Sequence, residues 1–139
     1  MPEVRQERTF WRDAGLSQRH RQWGFDCPMI DIDFLALEFD KGEPVVLVEY
    51  KNEHADMQYA SHPSYQALIK LGNRAGLPVI ACRYSDDYSK WRVIPLNAKA
   101  AEFIPERKVM NEFEWVNLLY KIRGREITPE EFESMKVEI

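Results

Sequence analysis

The sequence has few of the residues from which zinc sites and disulfide frameworks are built. Its 139 residues include two cysteines and three histidines, and no Cys-x-x-Cys or His-x-x-x-His spacing occurs, which argues against a zinc site. Cys27 and Cys82 are too few for a disulfide framework, and this favours a reducing cytoplasm. Cys82 lies in an apolar run, where a cysteine is typical of a small core residue.

Long apolar runs, an excess of positive charge and glycine-rich nucleotide loops are also missing. No run approaches the roughly 20 apolar residues that span a bilayer, and the polar, charged N-terminus is not that of a signal peptide. We therefore expect a cytoplasmic protein with no membrane partner. The net charge of −4 does not indicate nucleic-acid binding, and without a phosphate-cradling loop we expect no ATP dependence.

The charge is distributed unevenly along the chain. Five arginines against three acids give residues 1–25 a net charge of +2, and nine acids against two lysines give residues 26–60 a net charge of −7. A cation bound in this acidic segment would neutralise part of its charge before a phosphate approached. The composition, 45% hydrophobic and 30% charged, is that of a globular protein, and the length predicts one domain over residues 1–139.

Two apolar segments joined by turn residues predict a β-hairpin. Both segments, Ile30 to Phe39 and Val45 to Lys51, are rich in β-branched and aromatic residues. Between them, Asp40 to Pro44 consists of residues that are typical of turns. The apolar content of both arms exceeds that of a strand with one wet face. We therefore expect both strands to be buried, as in the centre of an α/β sheet.

Four charged residues nevertheless lie within these apolar arms: Asp31, Asp33, Glu49 and Lys51. Charges are rarely buried without a partner or a metal. The simplest closure of the turn pairs Phe39 with Val45, which sets Asp33 opposite Lys51 and diagonal to Glu49, within roughly 8 Å at Cβ. Side chains alternate between the faces of a strand, so all three then share one face. Two carboxylates that converge on one point suit a hard cation bound through oxygen.

Asp33, the hairpin and then Glu49-Tyr50-Lys51 resemble the PD-(D/E)xK nuclease superfamily, which includes restriction endonucleases and phage and archaeal junction resolvases. The proline of the motif is absent, because Ile32 precedes Asp33. The resemblance implies an α/β fold with a restriction endonuclease-like core, in which helices flank a central mixed sheet of about four strands. It also implies a magnesium-dependent endodeoxyribonuclease, with manganese as a substitute.

The resemblance further implies the roles of the site residues. Asp33 and Glu49 would hold the metal together with the main-chain carbonyl of Tyr50, and the metal would activate a water and stabilise charge on the phosphate. Two neighbouring acids favour the protonated form of Lys51. We therefore assign Lys51 to positioning the water and stabilising the transition state, rather than to acting as a neutral base. A second Glu-x-Lys at residues 106–108 lacks a preceding apolar strand and is set aside.

A helix is predicted from Pro2 to Ala14, with Glu7 on the same stripe as Val4 and Trp11. Related nucleases often carry a glutamate on the first helix that reaches the metal. The resemblance thus implies Glu7 as a third metal ligand and Glu3 as the alternate. For each, an ordinary surface glutamate is the alternative.

Two further segments supply candidate substrate-binding residues. Leu16 to Asp26, a short helix or a loop, carries Arg19 and Arg21, and positive charge beside the aromatic Trp23 can hold a phosphate and stack a base. The alternative is a solvated turn with Trp23 in the core. A helix predicted over residues 63–75 carries Gln66 and Lys70, which point either toward the substrate or to solvent.

The remaining segments complete an α/β pattern. Pro78 to Tyr84 predicts a buried strand that follows the helix over 63–75 by a right-handed parallel crossover, and Trp91 to Leu96 predicts a fourth strand. Capping signals at Asn111 and Thr128 predict two accessory C-terminal helices. The first of these is apolar on more than one stripe, so it is also a candidate homodimer surface.

Two functions of different classes fit these observations. The first is the metal-dependent nuclease acting on DNA. The second is a non-catalytic module on the same fold that binds nucleic acid or a partner protein. The net acidic charge favours the second, whereas charges in a predicted buried strand favour the first, because a scaffold alone does not need them.

Overall fold

The computed structural model describes residues 14–56 and 61–135. The chain divides into two compact units, Met1–Asp31 and Ile32–Ile139. In the first unit, helix α1 spans Ala14–Trp23, so the segment that sequence reasoning left as a helix or a loop is a helix. Residues 2–13 of the helix predicted from Pro2 to Ala14, with Glu3 and Glu7, lie outside the described residues. The predicted end of that helix at Ala14 is wrong, because Ala14 belongs to α1.

The second unit contains a five-stranded mixed sheet flanked by helices, which confirms the predicted α/β class. Its strands are β1 (Phe34–Glu38), β2 (Glu43–Asn52), β3 (Val79–Tyr84), β4 (Trp91–Pro95) and β5 (Lys108–Met110). Its helices are α2 (Pro63–Ala75), α3 (Ala98–Ala101), α4 (Glu112–Ile122) and α5 (Pro129–Ser134). The strands lie in the order β1-β2-β3-β4-β5. Only the β2–β3 pair is parallel, as the predicted crossover requires. Sequence reasoning missed the short strand β5 and helix α3.

The β1–β2 hairpin forms, but the predicted pairing of Phe39 with Val45 is wrong. A 3₁₀ turn over Phe39–Lys41 and the left-handed Gly42 (φ 63°) close the hairpin, and an irregularity between residues 36 and 37 shifts the register. Leu35 consequently pairs with Leu47, two residues from the predicted partner. Because side chains alternate with period two, this shift of two residues leaves the side chains of residues 34–36 and of their β2 partners on their predicted faces.

The expectation that both arms of the hairpin are buried is right for β2 and wrong for β1. β2 lies between β1 and β3, and its residues Val46, Leu47 and Val48 are buried. β1 is an edge strand, and Phe34 is 62% exposed. An edge strand has a neighbour on one side only, so apolar composition alone does not decide whether it is buried.

Each face of the sheet is covered by a helix. On one face Val48, Ile80 and Val93 pack with Trp115 and Leu118 of α4. On the other face Leu47 and Val79 pack with Leu68 of α2. A Cβ at Gly72 would overlap the Val79 side chain, so glycine allows α2 to lie directly on this face.

Helix ends agree with their sequence signals. Pro63 occupies the first turn of α2, and Gly76 ends that helix in the left-handed conformation. Asn111 and Thr128 form the predicted capping boxes with Glu114 and Glu131. Within the two described ranges, no helix has both the length and the apolar character needed to cross a membrane.

Candidate functional site

Asp33 lies immediately before β1 and is held against β2. Phe34 pairs with Val48, and continuing that pairing by one residue sets Asp33 beside Glu49. The main-chain N–H of Tyr50 donates a 2.9 Å hydrogen bond to Asp33 Oδ2. The predicted pairing of Asp33 with Lys51 is therefore replaced by a pairing of Asp33 with Glu49, which brings the two carboxylates closer together.

Glu49 is poorly solvated and incompletely paired. Its side chain is 12% exposed, and Oε1 lies 3.7 Å from Lys51 Nζ. Oε2 is buried and meets no hydrogen-bond donor among the described residues. Burial raises the pKa of Glu49, and the charge of Asp33 raises it further, while Lys51 opposes the shift. A buried carboxylate oxygen without a donor is costly, and a bound cation would offset that cost.

Tyr50 anchors this part of β2 from the opposite face of the sheet. Its hydroxyl accepts a 3.1 Å hydrogen bond from Trp115 Nε1, and burial raises the pKa of Tyr50 to about 12. The neutral, hydrogen-bonded ring fixes the strand between Glu49 and Lys51. Both side chains therefore project from a rigid element, as a binding site requires.

The structure thus brings together the three residues that the sequence singled out as catalytic: Asp33, Glu49 and Lys51. They fit a divalent cation, because Mg²⁺ prefers carboxylate and carbonyl oxygens and Glu49 Oε2 is a buried oxygen without a described donor. The amide and the carbonyl of one strand residue point to the same neighbouring strand. The carbonyl of Tyr50 therefore faces the edge at which its amide contacts Asp33.

Two residues beside the site were not singled out from the sequence. Tyr65, in the first turn of α2, is buried, and burial, then the Glu49 charge, raise its pKa. Arg83 pairs with Lys51 in the parallel β2–β3 ladder, and its Nη2 donates to the carbonyls of Glu53 at 2.7 Å and Ala55 at 2.6 Å. Arg83 could have been identified from the sequence, because it is a charged residue within an otherwise apolar strand. The same pattern identified Glu49 and Lys51.

The four residues predicted to bind substrate lie on two helices of the structure. Arg19 and Arg21 are exposed on α1, in the first unit. Gln66 is half-buried and Lys70 exposed, both on α2. The substrate-binding roles of these four residues stay predictions.

A second group of potential metal ligands lies at the carboxyl ends of β2 and β3. His54 Nε2 lies 2.7 Å from Asp86 Oδ2 and 3.3 Å from Glu53 Oε1. Asn52 Nδ2 also donates to Asp86 at 2.9 Å, and this bond, with His54, lowers the pKa of Asp86. All three ligand residues are exposed. Their mutual hydrogen bonds account for the cluster, so it is not the candidate site.

Comparison with known proteins assigns no family to the chain. No protein-family model, no curated protein and no solved structure matches it. The chemistry of the Asp33–Glu49–Lys51 site is therefore argued from its own geometry.

Proposed function

We propose that the protein is a metal-dependent nuclease that hydrolyses phosphodiester bonds in DNA, on a restriction endonuclease-like core. One observation carries the proposal. Asp33 lies against Glu49 at the β1–β2 edge. Glu49 Oε2 is buried and accepts no hydrogen bond from any residue that the structure describes. The ammonium of Lys51 lies 3.7 Å from the same carboxylate. Carboxylates beside a cationic donor are the groups that phosphodiester hydrolysis uses.

Asp33 and Glu49 would hold Mg²⁺, or Mn²⁺ in its place, with the carbonyl of Tyr50 facing the same edge. When bound, the cation supplies an activated water and neutralises charge on the phosphate. Glu49 binds a metal only when ionised, so its raised pKa makes protons compete with the cation. The hydrogen bond from the Tyr50 amide holds Asp33 in place before the metal arrives.

Lys51 acts on the substrate side of the site. Its side chain is 34% exposed, so the ammonium reaches solvent. The ion pair with Glu49 Oε1 keeps the ammonium beside Asp33 and Glu49. From there it donates to a phosphate oxygen and stabilises the charge that develops in the transition state. Tyr65, which burial and the Glu49 charge keep protonated, is a neutral hydrogen-bond donor on the α2 side.

A non-catalytic binding module on the same fold is the second candidate. The exposed apolar surface of the hairpin favours it, because Phe34 is 62%, Leu35 45% and Phe39 85% exposed. An apolar edge strand is a common place for a partner chain to add a strand. This candidate requires no metal and no ionised Glu49.

The two candidates are separated by a cleavage assay. Supercoiled, linear and branched DNA, with RNA as a further arm, would be incubated with the protein in Mg²⁺, Mn²⁺ or EDTA. We expect metal-dependent cleavage by the wild type and none by Glu49→Gln. Glu106→Gln, in the exposed second Glu-x-Lys, is the matched control and should cleave like the wild type. A wild type that is inert on every substrate, with a melting temperature that neither metal shifts, would favour the binding module.

A further inference from the structure

Three basic residues are paired across neighbouring strands on the face of the sheet that carries the candidate site. Lys51 of β2 pairs with Arg83 of β3, Arg83 pairs with Arg92 of β4, and Arg92 pairs with Val109 of β5. Residues directly paired across strands project from the same face. Lys51, Arg83 and Arg92 therefore form a line that starts beside Glu49 and leads away from it toward β5.

The far end of this line is open to solvent. Arg92 is exposed, whereas its neighbours Trp91 and Val93 are buried on the opposite face, and Val109 is 51% exposed. Two shallow depressions meet at Arg92 and Val109. One, of about 330 Å³, is also lined by Lys90, and the other, of about 350 Å³, by Arg107. We call Lys90, Arg92 and Arg107 the basic row.

The charge of the basic row is not neutralised within the protein. In the described part of the chain, none of its three residues forms an ion pair. Arg83 is different, because the carbonyls of the segment after β2 occupy its guanidinium.

The acids near the basic row have other partners. Glu53, which lines the same depression as Lys90, lies 3.3 Å from His54, and Asp86 accepts from Asn52. Asp87 in the β3–β4 turn accepts from the hydroxyls of Ser85 and Ser89. These acids keep their charge, but only Glu53 lines the two depressions, against the five basic residues Arg83, Lys90, Arg92, Arg107 and Lys108. The lining therefore has an excess of positive charge although the whole chain has a net charge of −4.

We infer that the basic row binds the sugar-phosphate backbone of the DNA strand whose phosphodiester is cut at the candidate site. Adjacent strands lie about 4.8 Å apart, so Arg92 lies about 10 Å from Lys51 across the sheet. The rise of about 3.4 Å per nucleotide along the helix axis is shorter than the distance between successive phosphates. At most about three nucleotides therefore separate a phosphate at Lys51 from one at Arg92. The inference rests on the proposed function, from which it takes its substrate.

The basic row is suited to phosphates rather than to bases. Arginine and lysine side chains contact phosphate oxygens without reading sequence, and the side chain of Val109, which lines both depressions, has no group that could hydrogen-bond a base. We therefore expect binding that depends strongly on salt and weakly on sequence.

Binding can be measured apart from cleavage. Fluorescence anisotropy of short labelled duplex and single-stranded DNA would be recorded in EDTA between about 50 and 200 mM salt. The test variant is Arg92→Gln with Arg107→Gln. The matched control is Lys41→Gln with Lys99→Gln, which removes two exposed lysines from the β1–β2 turn and from α3.

We expect the test variant to reduce the slope of log affinity against log salt by about 1.8 for duplex or about 1.4 for single strands. The control variant should leave both slopes, for duplex and for single-stranded DNA, equal to those of the wild type. Melting temperatures of both variants should equal that of the wild type, which shows that weaker binding does not come from unfolding. In the cleavage assay the test variant should need more DNA for half-maximal rate and keep its rate at saturation.

Failure of this inference differs from failure of the proposed function. A wild type that cleaves DNA, with a slope that the test variant does not change or that the control changes equally, would overturn the basic row alone. A wild type that binds no nucleic acid in EDTA would also overturn it. Salt-dependent binding that the test variant weakens, without cleavage in any metal, would support the basic row and overturn the nuclease.

Discussion

Asp33 and Glu49 lie side by side at the β1–β2 edge, with Asp33 held by a 2.9 Å hydrogen bond from the amide of Tyr50. The Asp33 charge adds to burial in raising the pKa of Glu49. Two carboxylates kept this close are unfavourable unless a proton or a cation lies between them. The arrangement is therefore strained in the isolated chain, in the way that functional sites often are.

Removing one carboxylate charge should stabilise the metal-free protein. Glu49→Gln keeps the shape of the side chain and relieves both its desolvation and its repulsion by Asp33, so we expect a gain of roughly 0.5–1 kcal/mol in the free energy of unfolding. Asp33→Asn should also stabilise, because its amide oxygen still accepts from Tyr50. Urea unfolding in EDTA measures both. A loss of stability in both variants would show that the carboxylates hold the fold rather than a cation.

The same variants should lose their response to metal. Mg²⁺ or Mn²⁺ should raise the melting temperature of the wild type, since a ligand that binds the folded state stabilises it. Asp33→Asn and Glu49→Gln should abolish that shift together with cleavage. Glu106→Gln should retain both.

The stability of the metal-free protein should depend on pH through Glu49. Its pKa lies above the ordinary value of 4.5, so the folded state holds a proton that the unfolded state releases. The stabilisation of the folded state by this bound proton is complete below pH 4.5. It is lost as the pH rises through the pKa that Glu49 has in the folded state. The gain from Glu49→Gln should therefore grow as the pH rises through this window and then level off. Urea unfolding in EDTA across the window measures it, with Glu106→Gln as the control whose difference from the wild type stays constant.

Lys51→Ala should separate chemistry from metal binding. It removes the ammonium 3.7 Å from Glu49, so cleavage should fall to background while the metal-induced melting shift remains. Because Lys51 opposes the raised pKa of Glu49, the variant should also require a higher pH for metal binding. Metal titrations at several pH values test this. Loss of the melting shift at every pH would assign Lys51 to the structure of the site.

Arg83→Met should loosen the segment after β2. The variant removes charge-assisted hydrogen bonds to the carbonyls of Glu53 and Ala55, and we expect a loss of roughly 1–3 kcal/mol. Hydrogen exchange should rise at residues 53–56 more than elsewhere. Arg92→Gln, one strand away on the same face, is the control and should leave both measurements unchanged.

Local patterns in the sequence were sufficient for the longer strands and helices of the second unit, though not for β5 and α3, and for the face on which Asp33, Glu49 and Lys51 lie. Helix α2 follows from Pro63, its apolar spacing and Gly76, and the capping boxes at Asn111 and Thr128 are visible in the residues themselves. The grouping of Asp33, Glu49 and Lys51 survived a register error of two residues, because alternation has a period of two. The roles of these residues stay predictions.

Packing decided the features that depend on which strand lies beside which. The 3₁₀ turn before Gly42 set the hairpin register and paired Asp33 with Glu49, and the edge position of β1 exposed Phe34. Arg83 and Arg92, far from Lys51 in the chain, align with it only through the β2–β3–β4 ladder. Alternation along a strand is a property of neighbouring residues and can be read from the sequence. The order and register of strands result from long-range pairing and burial, which no local pattern encodes.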